Sequence, residues 1–132
     1  MDRASEEQME ENEGWLIPLL ETVRRRPAMY LAGSSDVNVL ALYCHSYGQG
    51  RDSVDQEKSG AKELRVLTEE FVDWLTPQDK PRMRLLGWVG LVERKAEERG
   101  ESDSVGVFFL LFDEFLRSRS LDKRRVKHEE AE

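Results

Sequence analysis

Cys44 is the only cysteine of the chain, and one of its two histidines, His45, directly follows it. A thiol beside an imidazole is the raw material of a nucleophile–base pair, provided the two side chains converge to hydrogen-bond distance. The surrounding apolar spacing is helical, and neighbours on a helix point about 100° apart. The expectation is therefore a small buried thiol beside an exposed imidazole. His128 is more than eighty positions away, and two histidines and one cysteine without ligand spacing give no zinc site. A single cysteine also excludes an internal disulfide. The adjacent carboxylates Glu69-Glu70 and Asp113-Glu114 could perform acid–base chemistry if one of a pair were desolvated. No His, Lys or Tyr cluster accompanies them to complete a site. Gly33-Ser-Ser and Gly48-Gln-Gly50 lack the strand and the Lys-Ser/Thr of a phosphate loop and read as turns. These residues predict neither an enzyme nor a cofactor or metal site.

Charge narrows the partners. The 132 residues hold 27 Asp and Glu against 20 Lys and Arg, a net charge of −7. The basic runs Arg24–Arg26 and Lys123–Lys127 stand out, but an anion of this size repels a phosphate backbone over most of its surface, so nucleic acid is not the expected partner. Hydrophobic residues make up 39% and charged residues 36%, with 9 Gly and 4 Pro, the balance of a globular, helix-rich chain. No apolar run approaches the roughly 18–20 residues of a membrane helix. The opening Met1-Asp-Arg-Ala-Ser-Glu-Glu7 has no apolar signal core. A cytoplasmic protein away from the membrane is expected.

Residues 1–13 hold six carboxylates and almost nothing apolar, an acidic arm with little to offset its ordering entropy. Residues 118–132 read as a charged tail, which leaves one domain over 14–117. Leu16, Leu19, Leu20 and Val23 recur at helical offsets, Pro18 fits a first turn, and Pro27 pushes Arg26 out of helical geometry and ends the segment. Ala28–Leu31 reads as an apolar connector and Gly33–Asp36 as a turn with an N-cap. A second helix is expected over 36–48, with Val37, Leu40, Cys44 and Tyr47 inward and Gly48-Gln-Gly50 stopping it, then a loop over 51–61. Lys62–Leu75 turns Leu64, Leu67, Phe71 and either Trp74 or Leu75 inward. Pro77 and Pro81 bracket a connector.

Arg82–Arg99 reads as one helix with Leu85, Trp88 or Val89, and Val92 inward. Gly87 and Gly90 suggest the close approach of another backbone, and Gly100 ends the helix. Ser102 or Ser104 caps the last helix, whose face is Phe108, Leu111, Phe112 and Phe115, with Phe109 on the flank. A strand competes over 105–112, but the helical spacing continues to Leu116. The fold class expected is all-α, about five helices packed around the apolar last one.

Arg26-Pro-Ala-Met-Tyr-Leu31 resembles the opening of the ATPase domain of type II topoisomerases. The glycine-rich lid and Asp-x-Gly motifs of that family do not follow, so ATP binding is not implied. A longer resemblance runs to a group of small bacterial proteins whose pattern matches at Arg26, Pro27, Met29, Tyr30, Tyr47, Phe71 with Trp74, Gly87-Trp88, and Phe108, Phe109 and Phe112 with the following Asp113-Glu114. That family places Gly directly after Leu31, where this chain has Ala32, and Gly before Tyr47, where it has Ser46. The resemblance implies a shared fold, with the matching residues structural, and is similar to immunity proteins of polymorphic toxin systems. It implies binding to a protein partner such as a basic toxin domain. An acidic surface speeds capture of such a partner, and the contact candidates are Glu69, Glu70 and Asp73 on the outer side of the third helix, with Trp74 at its edge. A helical adaptor or regulatory module acting through self-association or another protein partner is the alternative, with Phe109 and Leu110 contributing an apolar patch.

Overall fold

A computed structural model describes residues 14–54 and 60–131; the acidic arm expected over 1–13 lies outside them. The fold is all-α, with no strand among the described residues. The α-helices are α1 (Leu16–Arg25), the single turn α2 (Pro27–Tyr30), α3 (Val37–Val54), α4 (Gly60–Leu75), α5 (Gly87–Glu98) and α6 (Ser104–Ala131), with a 3-10 helix over Pro81–Leu86 ahead of α5.

The core forms where the apolar stripes of these helices meet. Leu16, Leu20 and Val23 of α1, Val37, Leu40 and Cys44 of α3, Leu67, Phe71 and Leu75 of α4, and Leu91, Val92 and Ala96 of α5 are buried together with Val105, Phe108, Leu111, Phe112 and Phe115 of α6. Phe71 is the aromatic hub. Its ring centroid lies 5.7 Å from Phe108, 5.3 Å from Phe112 and 5.3 Å from Phe115, the first two edge-on, which is the favoured geometry for the ring quadrupoles. The apolar face of α6 thus provides the wall on which α4 rests.

The chain breaks where its backbone chemistry requires. Arg26, before Pro27, has φ −141° and ψ 63° and separates α1 from α2, as pre-proline crowding demands. The stretch expected as a connector is instead a helical turn, because Pro27 at its first position supplies helical φ without needing a donor. Ala32 then adopts φ +52°, and the Gly33 N–H reaches back to the Ala28 carbonyl at 2.9 Å, the long bond of a Schellman stop. Ala32→Gly is expected to raise stability by about 0.5–1 kcal/mol by relieving the Cβ contact, read as a higher urea midpoint at constant m; a lower midpoint would refute the strain.

Further expectations are corrected. First, α3 does not stop at Gly48 but continues to Val54, because Gly48 sits at a helix contact rather than a helix end. A Cβ there would lie 3.1 Å from the Trp15 ring, and one on Gly60 would lie 2.7 Å from the Gly48 carbonyl oxygen. The inward residue one turn after Cys44 is accordingly Gly48; Tyr47 is 40% exposed and tilts against Trp15 at 5.3 Å. The residues expected as a loop over 51–61 therefore include the last turn of α3 and the start of α4. Asp52 accepts hydrogen bonds from the Gly60 and Ala61 N–H groups at 2.7 and 3.1 Å and caps α4.

Second, residues 82–99 are not one helix. Gly87 takes φ +70° and ψ 175°, which turns the 3-10 segment away from α5 and leaves Leu85, expected inward, 90% exposed. Third, neither Gly87 nor Gly90 admits another helix backbone. Gly87 serves its positive φ, and a Cβ on Gly90 would meet only the Leu86 side chain. Fourth, Asp103 rather than either serine caps α6, its Oδ1 accepting the Gly106 N–H at 2.9 Å. Ser104 instead accepts the Val37 N–H at 2.8 Å and donates to the Ser35 carbonyl. It serves the start of α3, while Asp36 accepts the Asn38 N–H at 2.9 Å as that helix's own cap. The Asn38 backbone N–H and its side-chain amide both donate to Asp36 Oδ1 and hold the Asp36 carboxyl below its ordinary range. Helix α6 also continues past residue 117 to Ala131; its Lys-, Arg- and Glu-rich sequence there favours helix by propensity.

Candidate partner-binding face

Glu69, Glu70 and Asp73 fall within one turn of α4, so the i, i+3 and i, i+4 offsets set them side by side on the face opposite Phe71 and Leu75. Glu69 and Asp73 are exposed and Glu70 half-buried. Two of the three already have cations. Arg119 Nε of α6 lies 3.0 Å from Glu70 Oε2, and Arg84 of the 3-10 helix pairs with Asp73. These surface pairs contribute little individually, so a competing cation can displace them at small cost. Trp74, at the edge of this face, is half-buried. It stacks nearly parallel to Phe71 at 6.2 Å and packs against Phe115 at 5.9 Å, which fixes one aromatic edge beside the carboxylates. The sequence reading missed Val66, 42% exposed and one turn before Glu69 and Glu70; its spacing to Glu70 was the available signal.

The chain's other chemical groups are placed as follows. Cys44 is buried, and burial pushes its thiol from the ordinary 9.0 up to about 12. A raised thiol pKa means that the folded state holds its proton where the unfolded state has lost it. The associated stability is full below pH 9 and declines as pH rises from 9 toward 12. His45 is exposed and its Nε2 lies 3.2 Å from the Gln49 amide nitrogen, one turn on, so it turns away from the thiol. Asp113, of the adjacent pair Asp113-Glu114, is engaged by α1. It accepts two hydrogen bonds from the Arg24 guanidinium, at 2.8 and 2.6 Å. The same guanidinium stands 5.4 Å over the Phe109 ring, a cation–π arrangement. That clamp joins α1 to α6 and raises the Arg24 pKa through the Asp113 hydrogen bonds. It gives Arg24 a specific partner that its place among three arginines did not reveal.

The residues matched by the family pattern divide by environment. Phe108, Phe109 and Phe112 are buried, Trp88 is half-buried against Phe108 at 5.3 Å, and Tyr30 meets Tyr43 edge-on at 6.1 Å. Arg26 and Pro27 are exposed and Met29 is 67% exposed, so this part of the pattern lies on the surface. Phe109, expected on a flank, is buried beneath Arg24, whereas Leu110 is exposed. Leu110 lines a groove of about 420 Å³ with Pro27, Ala28 and Phe109.

Among the described residues, no group of three His, Cys, Asp or Glu side chains converges as metal ligands, and no helix is long and apolar enough to cross a membrane. A scan of protein-family models, a search of curated proteins and a search of solved structures each return no match to this chain.

Proposed function

We propose that this chain is a protein-binding, immunity-type protein that neutralises a cognate toxin by covering it, using the outer face of α4. The observation that carries the reading is the carboxylate row of exposed Glu69 and Asp73 and half-buried Glu70 beside the fixed edge of Trp74. Its partners Arg84 and Arg119 sit in surface pairs that a basic partner can displace. With those two cations displaced, the carboxylates of the row draw a cationic partner, and an adjacent aromatic supplies the rigid contact area on which tight interfaces depend. Much of the net charge lies elsewhere, since six acidic residues and one basic residue fall within 1–13. The α4 row therefore acts as a local feature and not as part of a uniformly acidic surface.

The test uses the full chain as bait in a lysate of its native cells. A stoichiometric partner is then expressed alone and together with this protein. Killing by the partner alone, and rescue by co-expression, is the expected result. The triple variant Glu69→Lys, Glu70→Lys, Asp73→Lys is expected to slow association by about tenfold or more at low salt and to lose protection. Full protection by that variant would reject this face. Self-association through the Ala28–Leu110 groove is the second reading, favoured by the exposure of Leu110; light scattering at twice the chain mass, lost in Leu110→Glu, would support it.

A further inference from the structure

The connection between α4 and α5 encloses a second feature that uses none of the α4 carboxylates. A pocket of about 220 Å³ lies between the C-terminal end of α4, the residues around the 3-10 helix, and α5. Its apolar lining is the buried Leu75 and Leu91 with the half-buried Pro77 and Met83. Lys80, Arg94 and Lys95 line it as well, against the single carboxylate of Glu98. Glu98 is shared, 3.6 Å from Arg94 Nε and 3.7 Å from Lys95 Nζ, and Lys80 has no ion-pair partner among the described residues. The pocket is therefore cationic in a chain of net −7.

Two properties of the pocket select its ligand. The leucine and methionine surfaces favour hydrocarbon, which an inorganic anion would leave uncovered. The surplus cations favour a carboxylate, through charge-assisted hydrogen bonds that a neutral alcohol cannot match. The volume, at roughly 20–30 Å³ per non-hydrogen atom, holds about seven to eleven such atoms. We propose that this pocket binds a carboxylate carried on a short hydrocarbon stem. That chemistry is shared by a free short-chain acid and by the apolar C-terminal residue of another polypeptide, and the two differ only in what continues beyond the pocket mouth.

The experiment follows the methyl resonance of Met83 in the full chain while probes are titrated. The probes are hexanoate, acetate, hexanol, and the peptide acetyl-Gly-Ser-Leu with a free or an amidated C-terminus. Hexanoate or the free peptide is expected to shift Met83 saturably, with a Kd on the order of 1 mM. Acetate, hexanol and the amidated peptide should bind at least about tenfold more weakly. Tighter binding of hexanoate identifies a free acid as the ligand, and tighter binding of the peptide identifies a chain terminus. The surface variant Lys80→Gln, Arg94→Gln should weaken the bound carboxylate at least about tenfold while leaving the thermal midpoint unchanged. Hexanol binding as tightly as hexanoate, no saturable shift from either carboxylate, or undiminished binding to the double variant would overturn the proposal.

Discussion

Phe71→Ala is expected to remove about 3–5 kcal/mol of stability, a large part of the roughly 5–15 kcal/mol that holds a typical domain folded. Phe71 is 1% exposed, and its ring meets Trp74 as well as Phe108, Phe112 and Phe115. Deleting it empties the contact between α4 and α6. The same ring borders a small apolar void of about 20 Å³, lined also by Leu67, Cys44 and Trp88. The new cavity would therefore join an existing one, and its walls come from five helices that cannot all move inward together. Urea denaturation followed by tryptophan fluorescence gives the measurement. The expected result is a large fall in midpoint, with Phe71→Leu losing far less because it keeps most of the volume. A loss below about 1.5 kcal/mol for the alanine variant would show that the hub is not where the core's stability resides. A functional consequence accompanies the structural one, since Phe71 backs Trp74. The leucine variant, still folded, should blunt partner binding through the α4 face if the fixed position of that indole matters.

The second large effect sets two glycines of similar appearance against each other. Gly60→Ala is expected to cost about 1–3 kcal/mol, as overpacking does in a tight contact. Its Cβ would fall 2.7 Å from the Gly48 carbonyl oxygen and 2.8 Å from Asp52 Oδ1. The first is backbone of α3, and the second is the carboxylate that caps α4, so relief requires the two helices to separate. Separation would also lengthen the hydrogen bond from the Trp15 indole N–H to the Gly60 carbonyl, now 3.1 Å. Gly50→Ala should act in the opposite direction. It lies within α3 with nothing within 4 Å of its Cβ position, so alanine brings its helix propensity without a clash and should stabilise by up to about 1 kcal/mol. Thermal or urea unfolding of both variants side by side settles the matter, and loss of stability at both positions would contradict the description of Gly50 as open.

The contrast between these glycines shows where sequence reading succeeds. Helix α1 and its end at Arg26 were legible because Pro27 acts on its immediate neighbour, whatever the tertiary context. The inward face of α6 was legible because Phe108, Leu111, Phe112 and Phe115 repeat at helical spacing, and burial of that stripe is the dominant folding force. The buried Cys44 and the exposed His45 followed from the same periodicity. The role of Gly48 was not legible, since a glycine that ends a helix and one that admits a neighbour look alike until the neighbour, here Trp15 and Gly60, is in place. Leu85 was misplaced for a related reason. Its spacing fits a helix continuing through Gly87, and the positive φ at Gly87 cancels that phase.

The candidate sites divide along the same line. The row of Glu69, Glu70 and Asp73 is set by helical spacing, so the sequence alone determined that these carboxylates share a face. Their pairing with Arg119 and Arg84 was decided by the tertiary structure, as were the Arg24 clamp on Asp113 and Phe109 and the gathering of Lys80, Arg94 and Lys95 around an apolar pocket. Local geometry repeats every 3.6 residues and can be read from a linear pattern. Contacts between residues far apart in the chain depend on which helices pack and at what angle, which is settled by the burial of all the stripes at once.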